Sequence, residues 1–410
     1  MIIIARVKIN KKGGAGKQPD LTPVQELWRI GYVILCGILL LITAYMLFSV
    51  VTSPGSGWDY RVYMGAVEAL NQNKDPYILD NIREYVGDDL PFVYPPHTFF
   101  LFEFLYLFQS IGVYRLFFAF LMLISAYLVW QIDEKHHYLF FITLLLAGFI
   151  STYWNFLTAN DSIIFLFFTS VIFYCLKKER ITESAIATGL MASFSLFPIL
   201  FSGIFLLVKR TLTERLKLIC IAGGTLGAVL ILSYIANPPL MMSFIHSLVS
   251  DTNRIYESGG MATPTPYLMF GDITKGIGSA GPGFTAILSL LYIGAVIAAT
   301  YFFAMKNQDD MFRVYCLGFL SIFMILPRLK PYTFIMLVVP LYFLLKESSY
   351  KAKILIFSGI SLFPLFVYMN YFSNPKLVPD LVNLYAQAMS LFFIFAYIIL
   401  NDRYGSPEPT

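Results

Sequence analysis

The sequence predicts an all-α polytopic membrane protein, a bundle of about twelve transmembrane helices, on three observations. Hydrophobic residues make up 58% of the 410 positions and charged residues 13%, with a mean hydropathy of +0.69. A soluble domain carries roughly 25% charged residues, so this chain cannot cover a globular surface with polar groups. Long apolar runs recur along the chain, and basic residues gather between them. A net charge of only +4 gives no indication of nucleic-acid binding.

The first apolar run, Trp28–Val51, is too long for the apolar part of a signal peptide, and a polar, basic stretch precedes it. We therefore expect residues 1–27 to be a cytoplasmic tail and this run to be a retained first helix. Residues 28–400 form a single transmembrane domain, and the short polar segment 401–410 is a second cytoplasmic tail.

Further apolar runs predict the remaining spans, and two of the runs are ambiguous. His97–Phe108 is short and contains Glu103, which favours an interfacial or re-entrant helix. Ala185–Val208 is long but is interrupted by Pro198. The other runs are Tyr114–Gln131, Tyr138–Tyr153, Ser162–Leu176, Leu218–Ile235, Phe284–Met305, Met311–Leu326, Tyr332–Leu345, Ile354–Tyr368 and Leu381–Leu400.

The basic residues resolve both cases, because Lys and Arg accumulate in cytoplasmic loops. Basic clusters at 177–180 and 209–217 flank Ala185–Val208. This run must therefore leave the cytoplasm and return, as two short helices hinged near Phe197-Pro198. With both termini in the cytoplasm, His97–Phe108 lies at the outer face. Two long outer loops result, at about 52–112 and 237–283.

The four cysteines lie inside apolar runs without metal-ligand spacing, and we expect them to be packing residues. The first outer loop has no Asp-x-Asp, and its close acidic pair Asp88-Asp89 fits an exposed turn. The sequence therefore predicts neither a metal nor a cofactor.

The first outer loop contains the most informative pattern. It begins Gly57-Trp58-Asp59-Tyr60-Arg61-Val62-Tyr63, and its apolar positions Val62, Ala66, Val67 and Leu70 share one helical face. This predicts an amphipathic helix lying on the membrane, opened by Asp59. The structural alternative for Asp59 is an ordinary helix N-cap.

Two further motifs follow in this loop, Asp75-Pro76-Tyr77 and Tyr94-Pro95-Pro96-His97. In order and spacing, the three motifs resemble the polyprenol-phosphate-mannose-dependent α-1,2-mannosyltransferase family of the GT-C superfamily. The resemblance covers about Trp28 to Leu345. The chain departs from the family at Leu157–Asp161, where members often have a Gly-Gln turn. It also departs at Pro327–Tyr332, where many members carry a histidine.

The resemblance implies a glycosyltransferase whose donor is a hexose on a polyprenyl phosphate, and mannose is the hexose that it leads us to expect. Asp59 matches the catalytic base of that superfamily, which takes the proton of the acceptor hydroxyl in a single inverting displacement. The expected acceptor is a lipid-linked or surface glycan. The expected location is the outer face of a prokaryotic cell membrane, with membrane lipid as a further partner.

Other residues are candidates for the same site. Arg328, Lys330 and Arg254 could bind the donor phosphate, although interfacial cations also reach toward lipid headgroups. Asp161 could instead cap the following helix, and the loop residues could be merely solvated. His136 and His137 fall on the cytoplasmic side and are excluded. The candidates for the acceptor or donor pocket are Tyr63, Tyr94, His97, Asn160, Asp161, His246 and Glu257.

Two other functions remain open at this point. A transporter or flippase of lipid-linked glycans would carry charged residues in the middle of its spans, and the apolar runs here are almost free of them. A non-enzymatic scaffold subunit would tolerate the loss of Asp59.

Overall fold

The computed structural model describes residues 22–52, 57–87, 90–249, 264–276, 282–326, 329–371 and 379–404, and these residues contain no β-strand. Shorter 3₁₀ segments lie at Pro96–Thr98, Gly148–Ile150, Phe197–Leu207 and Pro331–Leu337, and a π-helical turn at Ser358–Leu362. The α-helices are α1 (Pro23–Thr52), α2 (Trp58–Asn71), α3 (Leu79–Val86), α4 (Phe99–Tyr106), α5 (Ile111–Ile132), α6 (Tyr138–Ala147), α7 (Ser151–Thr158), α8 (Ser162–Lys177), α9 (Ile181–Phe194), α10 (Leu212–Ala236), α11 (Pro238–Val249), α12 (Pro266–Gly276), α13 (Pro282–Lys306), α14 (Met311–Ile325), α15 (Val338–Leu345), α16 (Tyr350–Phe357), α17 (Phe363–Tyr371) and α18 (Asp380–Tyr404).

Seven helical segments among the described residues are long and apolar enough to cross a membrane. Shorter apolar helices accompany them, including α8, α14 and the pair formed by Pro331–Leu337 and α15. The chain is therefore an all-α, multi-pass integral membrane protein, as its composition predicts. The seven segments are Pro23–Thr52, Ile111–Ile132, Tyr138–Thr158, Leu212–Ala236, Gly283–Lys306, Tyr350–Asn370 and Leu384–Asn401.

The helices at the periphery of the bundle expose large apolar side chains, which is the arrangement that a lipid environment requires. On α1, Leu41 and Tyr45 are each 73% exposed. Cys36, Cys175 and Cys316 are buried, as expected of packing residues. Cys220 on α10 is exposed, so the expectation that all four cysteines pack internally is wrong for this one.

The run Ala185–Val208 forms two short helices, α9 and Phe197–Leu207, as predicted. Ser195 between them is extended, with φ −155° and ψ 132°. Pro198 lies in the first turn of the second helix, where the missing N–H of proline costs nothing. The chain thus breaks just before Phe197-Pro198.

The run Tyr138–Tyr153 is not one continuous helix. Phe149 and Ile150 have φ values of 52° and 50°, which is uncommon for residues other than glycine. The carbonyl of Phe149 accepts a hydrogen bond of 2.8 Å from Gln387 Nε2 on α18. This break separates α6 from α7.

The first outer loop folds into α2, α3 and α4. The eight residues of α4 are too few to cross a bilayer, so the short helix predicted near His97–Phe108 is confirmed. Val62, Ala66 and Val67 of α2 are buried as one face. These residues belong to one core cluster with Ile82 and Val86 of α3, and Gly65 brings the two helices into close contact at those residues. Protein, rather than lipid, therefore covers the apolar face of α2.

The two ends of α5 carry different groups. Tyr114 and Arg115 lie in its first turns, and Asp133 follows its last residue, about 30 Å away at 1.5 Å per residue. Asp133 accepts hydrogen bonds from Lys346 and Tyr342. Burial alone would raise the pKa of Asp133, but these two hydrogen bonds outweigh it and the pKa is lowered.

His136 and His137 lie at the same end of α5 as Asp133, and the backbone N–H of His137 donates to Asp133 at 3.3 Å. Tyr114, at the opposite end, contacts the side chains of the first outer loop. The expected separation of the two histidines from the first outer loop is therefore present in the fold.

Candidate active site

Asp59 is the second residue of α2, and its side chain makes no helix-capping hydrogen bond. The N-cap is Gly57, whose φ of 88° suits glycine. The alternative that Asp59 is an ordinary N-cap is therefore wrong. Its carboxylate Oδ2 instead accepts a hydrogen bond of 3.0 Å from Asn160 Nδ2, on the turn between α7 and α8.

The start of α2 is fixed to the end of α7 by backbone groups. A helix leaves its last carbonyls without internal partners. At the end of α7, the carbonyl of Leu157 accepts the N–H of Gly57 at 2.7 Å, and that of Phe156 accepts Nε of Arg115 at 3.1 Å. Ala159, with φ 56°, ends the helix in the left-handed conformation. The turn carrying Asn160 is thereby held beside Asp59.

The side chain of Asn160 is oriented by Ser162. Its Oδ1 accepts hydrogen bonds from the backbone N of Ser162 at 2.9 Å and from the Ser162 hydroxyl at 2.7 Å. Because both groups donate, this atom is the amide oxygen, and Nδ2 must be the atom that faces Asp59. Asp161 occupies the N-cap position of α8 but makes no capping bond, so the helix-capping role considered for Asp161 belongs to Asn160.

The carboxylate of Asp161 is directed into a pair of tyrosines. Its Oδ1 lies 3.0 Å from the hydroxyl of Tyr94 and 3.5 Å from that of Tyr63, and the two hydroxyls lie 3.0 Å apart. Tyr77 donates to the carbonyl of Tyr94 at 2.6 Å, which gives the Asp-Pro-Tyr motif a structural role. Tyr63 also stacks on Phe102 of α4, with ring centroids 4.5 Å apart.

The two carboxylates have pKa values close to neutrality. Burial raises the pKa of Asp59 to about 6, against the opposing effects of Asn160, Thr158 and Lys330. Burial raises the pKa of Asp161 to about 7, and the nearby charge of Asp59 adds to the increase. Burial also raises the pKa values of both tyrosines well above the ordinary value, so their hydroxyls remain donors. A carboxylate with a pKa near the working pH is suited to general-base catalysis.

Asp59 and Asp161 differ in accessibility. Asp59 is half-buried, whereas Asp161 is 1% exposed. A ligand at the surface of the site could therefore contact Asp59, while Asp161 lies beneath it.

Of the three residues considered for binding the donor phosphate, Lys330 is the one among the described residues. Its charge lowers the pKa of Asp59. It directly precedes the 3₁₀ segment Pro331–Leu337. Nδ2 of Asn155 donates to the carbonyl of Tyr332 at 2.9 Å and so ties this segment to α7. Arg328, Arg254 and Glu257 lie outside the described residues.

The two histidines considered for the pocket lie elsewhere. His97 packs edge-on against Phe194 of α9, with ring centroids 6.4 Å apart. His246 is exposed on α11. Within the described ranges, neither histidine belongs to the hydrogen-bonded group around Asp59.

Sequence reasoning missed three residues near the carboxylates. Thr158 lowers the pKa of Asp59, and Tyr114 interacts electrostatically with both Asp161 and Asp59. Arg115 fixes the turn, as described above. None of these residues belongs to a recognisable sequence motif. The signal that could have identified them as site residues is their position at the ends of α5 and α7.

No group of three or more His, Cys, Asp or Glu side chains among the described residues could hold a metal ion. The described part of the site offers two carboxylates, an amide, several hydroxyls and one lysine. These groups can accept a proton and stabilise negative charge.

Fold and site together define a multi-pass membrane protein with a half-buried carboxylate of raised pKa, Asp59, at the start of a helix that is not one of its spans. The sequence model of Glycosyltransferase family 87 matches residues 92–327, more than half of the chain. The chain belongs to this family and is a membrane glycosyltransferase. The matched region includes Asn160 and Asp161 but begins after Asp59. No curated protein matches the chain.

Proposed function

We propose that this glycosyltransferase moves a hexose from a polyprenyl monophosphate to a lipid-linked or surface glycan. Mannose is the hexose that we expect, and Asp59 is the proposed general base. The observation that supports this most directly is the state of Asp59. It is half-buried, its pKa is raised to about 6, and one of its oxygens is held by Asn160. This combination suits a GT-C-type enzyme of the kind that the first-loop motifs resemble.

The reaction is a single displacement at the anomeric carbon. The oxygen of the acceptor hydroxyl forms a bond to that carbon, while the bond from the carbon to the phosphate oxygen breaks. The electron pair of the broken bond leaves with the polyprenyl phosphate. Asp59 takes the proton of the attacking hydroxyl, and the configuration at the anomeric carbon is inverted.

The departing phosphate gains negative charge, so the site needs cations close to it. Lys330 is near enough to Asp59 to lower its pKa, and it has the charge required to bind the phosphate. We assign Arg328 and Arg254 to the same role on sequence grounds. Arginine can grip phosphate oxygens in a bidentate fashion.

The acceptor and donor pocket is proposed to form around Asp59 from both outer loops. Asn160 is hydrogen-bonded to Asp59. Tyr63, Tyr94 and Asp161 are bonded to one another, and Tyr63 links them to Asn160. His97 and His246 remain proposed pocket residues that would need to approach on substrate binding. Glu257 remains a proposed pocket residue on sequence grounds.

The position of the site along α5 supports an outer-face active site. Asp59 lies near the Tyr114 end of α5, whereas Lys135, Lys177 and Lys178 lie near the other end. Basic residues mark the cytoplasmic side, and this supports our proposal that Asp59 lies on the outer side. Cytoplasmic termini are part of the same proposal. A lipid-borne donor suits that side, since its apolar chain can approach through the bilayer.

A glycan transporter or flippase has less support. Among the described residues, the cations buried inside helices are Arg115 and Lys353. Each lies near the first turn of its helix rather than in mid-span. Arg115 is bonded to a backbone carbonyl. Lys353 lies 5.5–6.0 Å from the ring centres of Tyr32, Phe140 and Tyr350.

The reaction class is tested with purified protein in lipid nanodiscs, several polyprenyl-phosphate hexoses and a panel of glycolipid acceptors. We expect one polyprenyl phosphate to be released for each glycosylated acceptor, with inverted anomeric configuration by NMR. A flippase reconstituted in vesicles would move the lipid across the membrane and leave the sugar–phosphate bond intact, and that result would contradict the proposal.

A further inference from the structure

Asp161 has one satisfied and one unsatisfied oxygen in a site closed to solvent. Its Oδ1 accepts from the hydroxyls of Tyr94 and Tyr63. Its Oδ2 is buried and has no hydrogen-bond partner among the described residues, and the same holds for the hydroxyl of Tyr114. An ionised carboxylate with an oxygen in this state is strongly disfavoured, because a buried charge needs a partner.

The groups that face Asp161 come from every packed neighbour of the site. Helix α2 provides Asp59 and Tyr63, the segment before α4 provides Tyr94, and α5 provides Tyr114. Of the cations in this part of the described chain, Lys330 acts on Asp59.

The segment that follows Lys330 also faces the tyrosine pair, through Tyr332, which acts on Tyr94. The guanidinium of Arg115 is engaged with the carbonyl of Phe156. The influences on the pKa of Asp161 are, in order, burial, the hydrogen bond from Tyr94, the charge of Asp59, its own backbone N–H and the hydrogen bond from Tyr63.

We propose that Asp161 is a positioning residue that stays protonated while Asp59 is ionised, so that the pair carries one negative charge in the working enzyme. The proton resides on Oδ2, because Oδ1 already accepts two phenolic donors. This inference rests on the proposed role of Asp59 and deepens it.

A protonated Asp161 affects the ionisation of Asp59, the proposed base. Two carboxylates joined through Asn160 and Tyr63 repel each other if both are ionised, and a like charge raises the pKa of its neighbour. A neutral Asp161 lets Asp59 ionise first. The direction agrees with the pKa values of about 6 for Asp59 and about 7 for Asp161. The two groups titrate as a coupled pair.

The first test does not depend on activity. Infrared difference spectra are recorded on the protein in nanodiscs as the pH is lowered through neutrality. We expect a protonated-carboxyl band to appear near pH 7 in the wild type, and Asp161→Asn to show only the band of Asp59, near pH 6. The band of Asp161 should remain in Asp59→Asn. A wild type without a band near pH 7, or an Asp161→Asn variant that keeps that band, would overturn the inference.

The second test is the pH profile of kcat/KM. We expect a rise near pH 6 and a fall above about pH 7, because ionised Asp161 adds a charge that repels the donor phosphate. Asp161→Asn should lose the fall and keep the rise. Tyr94→Phe removes a donor that lowers the pKa of Asp161, so it should move both the fall and the infrared band to higher pH.

The outcomes separate the inference from the function on which it rests. A fully active Asp59→Asn would refute the proposed base and leave the infrared result to stand on its own. An unchanged profile in Asp161→Asn, together with an inactive Asp59→Asn, would refute only the role of Asp161. If Asp161→Asn does not fold, the spectra of the wild type and Tyr94→Phe decide.

Discussion

The amide of Asn160 donates a hydrogen bond of 3.0 Å to Asp59, although 101 positions separate the two residues along the chain. The amide cannot turn freely, because its oxygen accepts two hydrogen bonds from Ser162. The proposed base, Asp59, is therefore oriented by the start of α8, a different part of the fold from the helix that carries it.

Replacing Asn160 with Ala removes this orienting bond. We expect kcat to fall by about tenfold to a hundredfold, since a small displacement of a catalytic group has effects of that size. The acid limb should also move to higher pH, because the Asn160 bond lowers the pKa of Asp59. Asn71→Ala is the control, because Asn71 is exposed at the end of α2, the helix that carries Asp59. Equal activity of the two variants would show that Asn160 does not orient the base.

The charge of Lys330 should be visible in the pH dependence of the enzyme. Asp59 must be ionised to act, so kcat/KM rises with pH through about 6 in the wild type. A cation lowers the pKa of a carboxyl, so Lys330→Gln should move this rise to higher pH and increase KM for the donor. The measurement is a pH profile at several donor concentrations. An altered acceptor KM alone, with an unmoved profile, would contradict the assignment.

Gly57 allows the close approach of the start of α2 to Ile111, the first residue of α5. Its φ is 88°, and an added Cβ would lie 2.2 Å from Cδ1 of Ile111. We expect Gly57→Ala to cost roughly 1–2 kcal/mol in backbone strain alone, and to lower turnover because Asp59 shifts. Thermal unfolding and kcat measure the two effects.

Gly87 provides the matched control for this variant. It also has a positive φ, 78°, but an added Cβ would meet nothing within 4 Å. Gly87→Ala should therefore show a similar backbone cost with turnover near that of the wild type. Equal turnover in the two variants would show that the Gly57 contact does not position the base.

Most of the architecture could be predicted from composition and charge, for a physical reason. A span must be long and apolar wherever it lies in the bundle, so it can be recognised from a continuous apolar segment of the sequence. The broken run Ala185–Val208 was predicted because proline and flanking charges act locally. The break at Phe149 and Ile150 was not, since their positive φ angles depend on distant contacts such as Gln387.

The site was predictable only in part. Asp59, Tyr63 and Tyr94 lie in recognisable motifs, and the structure brings them to one place with Asn160 and Asp161. The partners that each would take were not predictable, because hydrogen bonds such as that from Tyr94 to Asp161 join residues 67 positions apart. Local patterns also suggested capping for Asp59 and Asp161, and tertiary contacts override capping at both.

The most direct test of the central claim compares Asp59→Asn with Asp80→Asn in single-turnover transfer from a polyprenyl-phosphate hexose. Asp80 is an exposed acid of the same outer loop, paired with Arg83 at 2.9 Å, and serves as the matched control. We predict that Asp59→Asn folds and binds donor but transfers at least about a hundredfold more slowly, with Asp80→Asn close to wild type. Transfer by Asp59→Asn within a few-fold of the control would contradict the account.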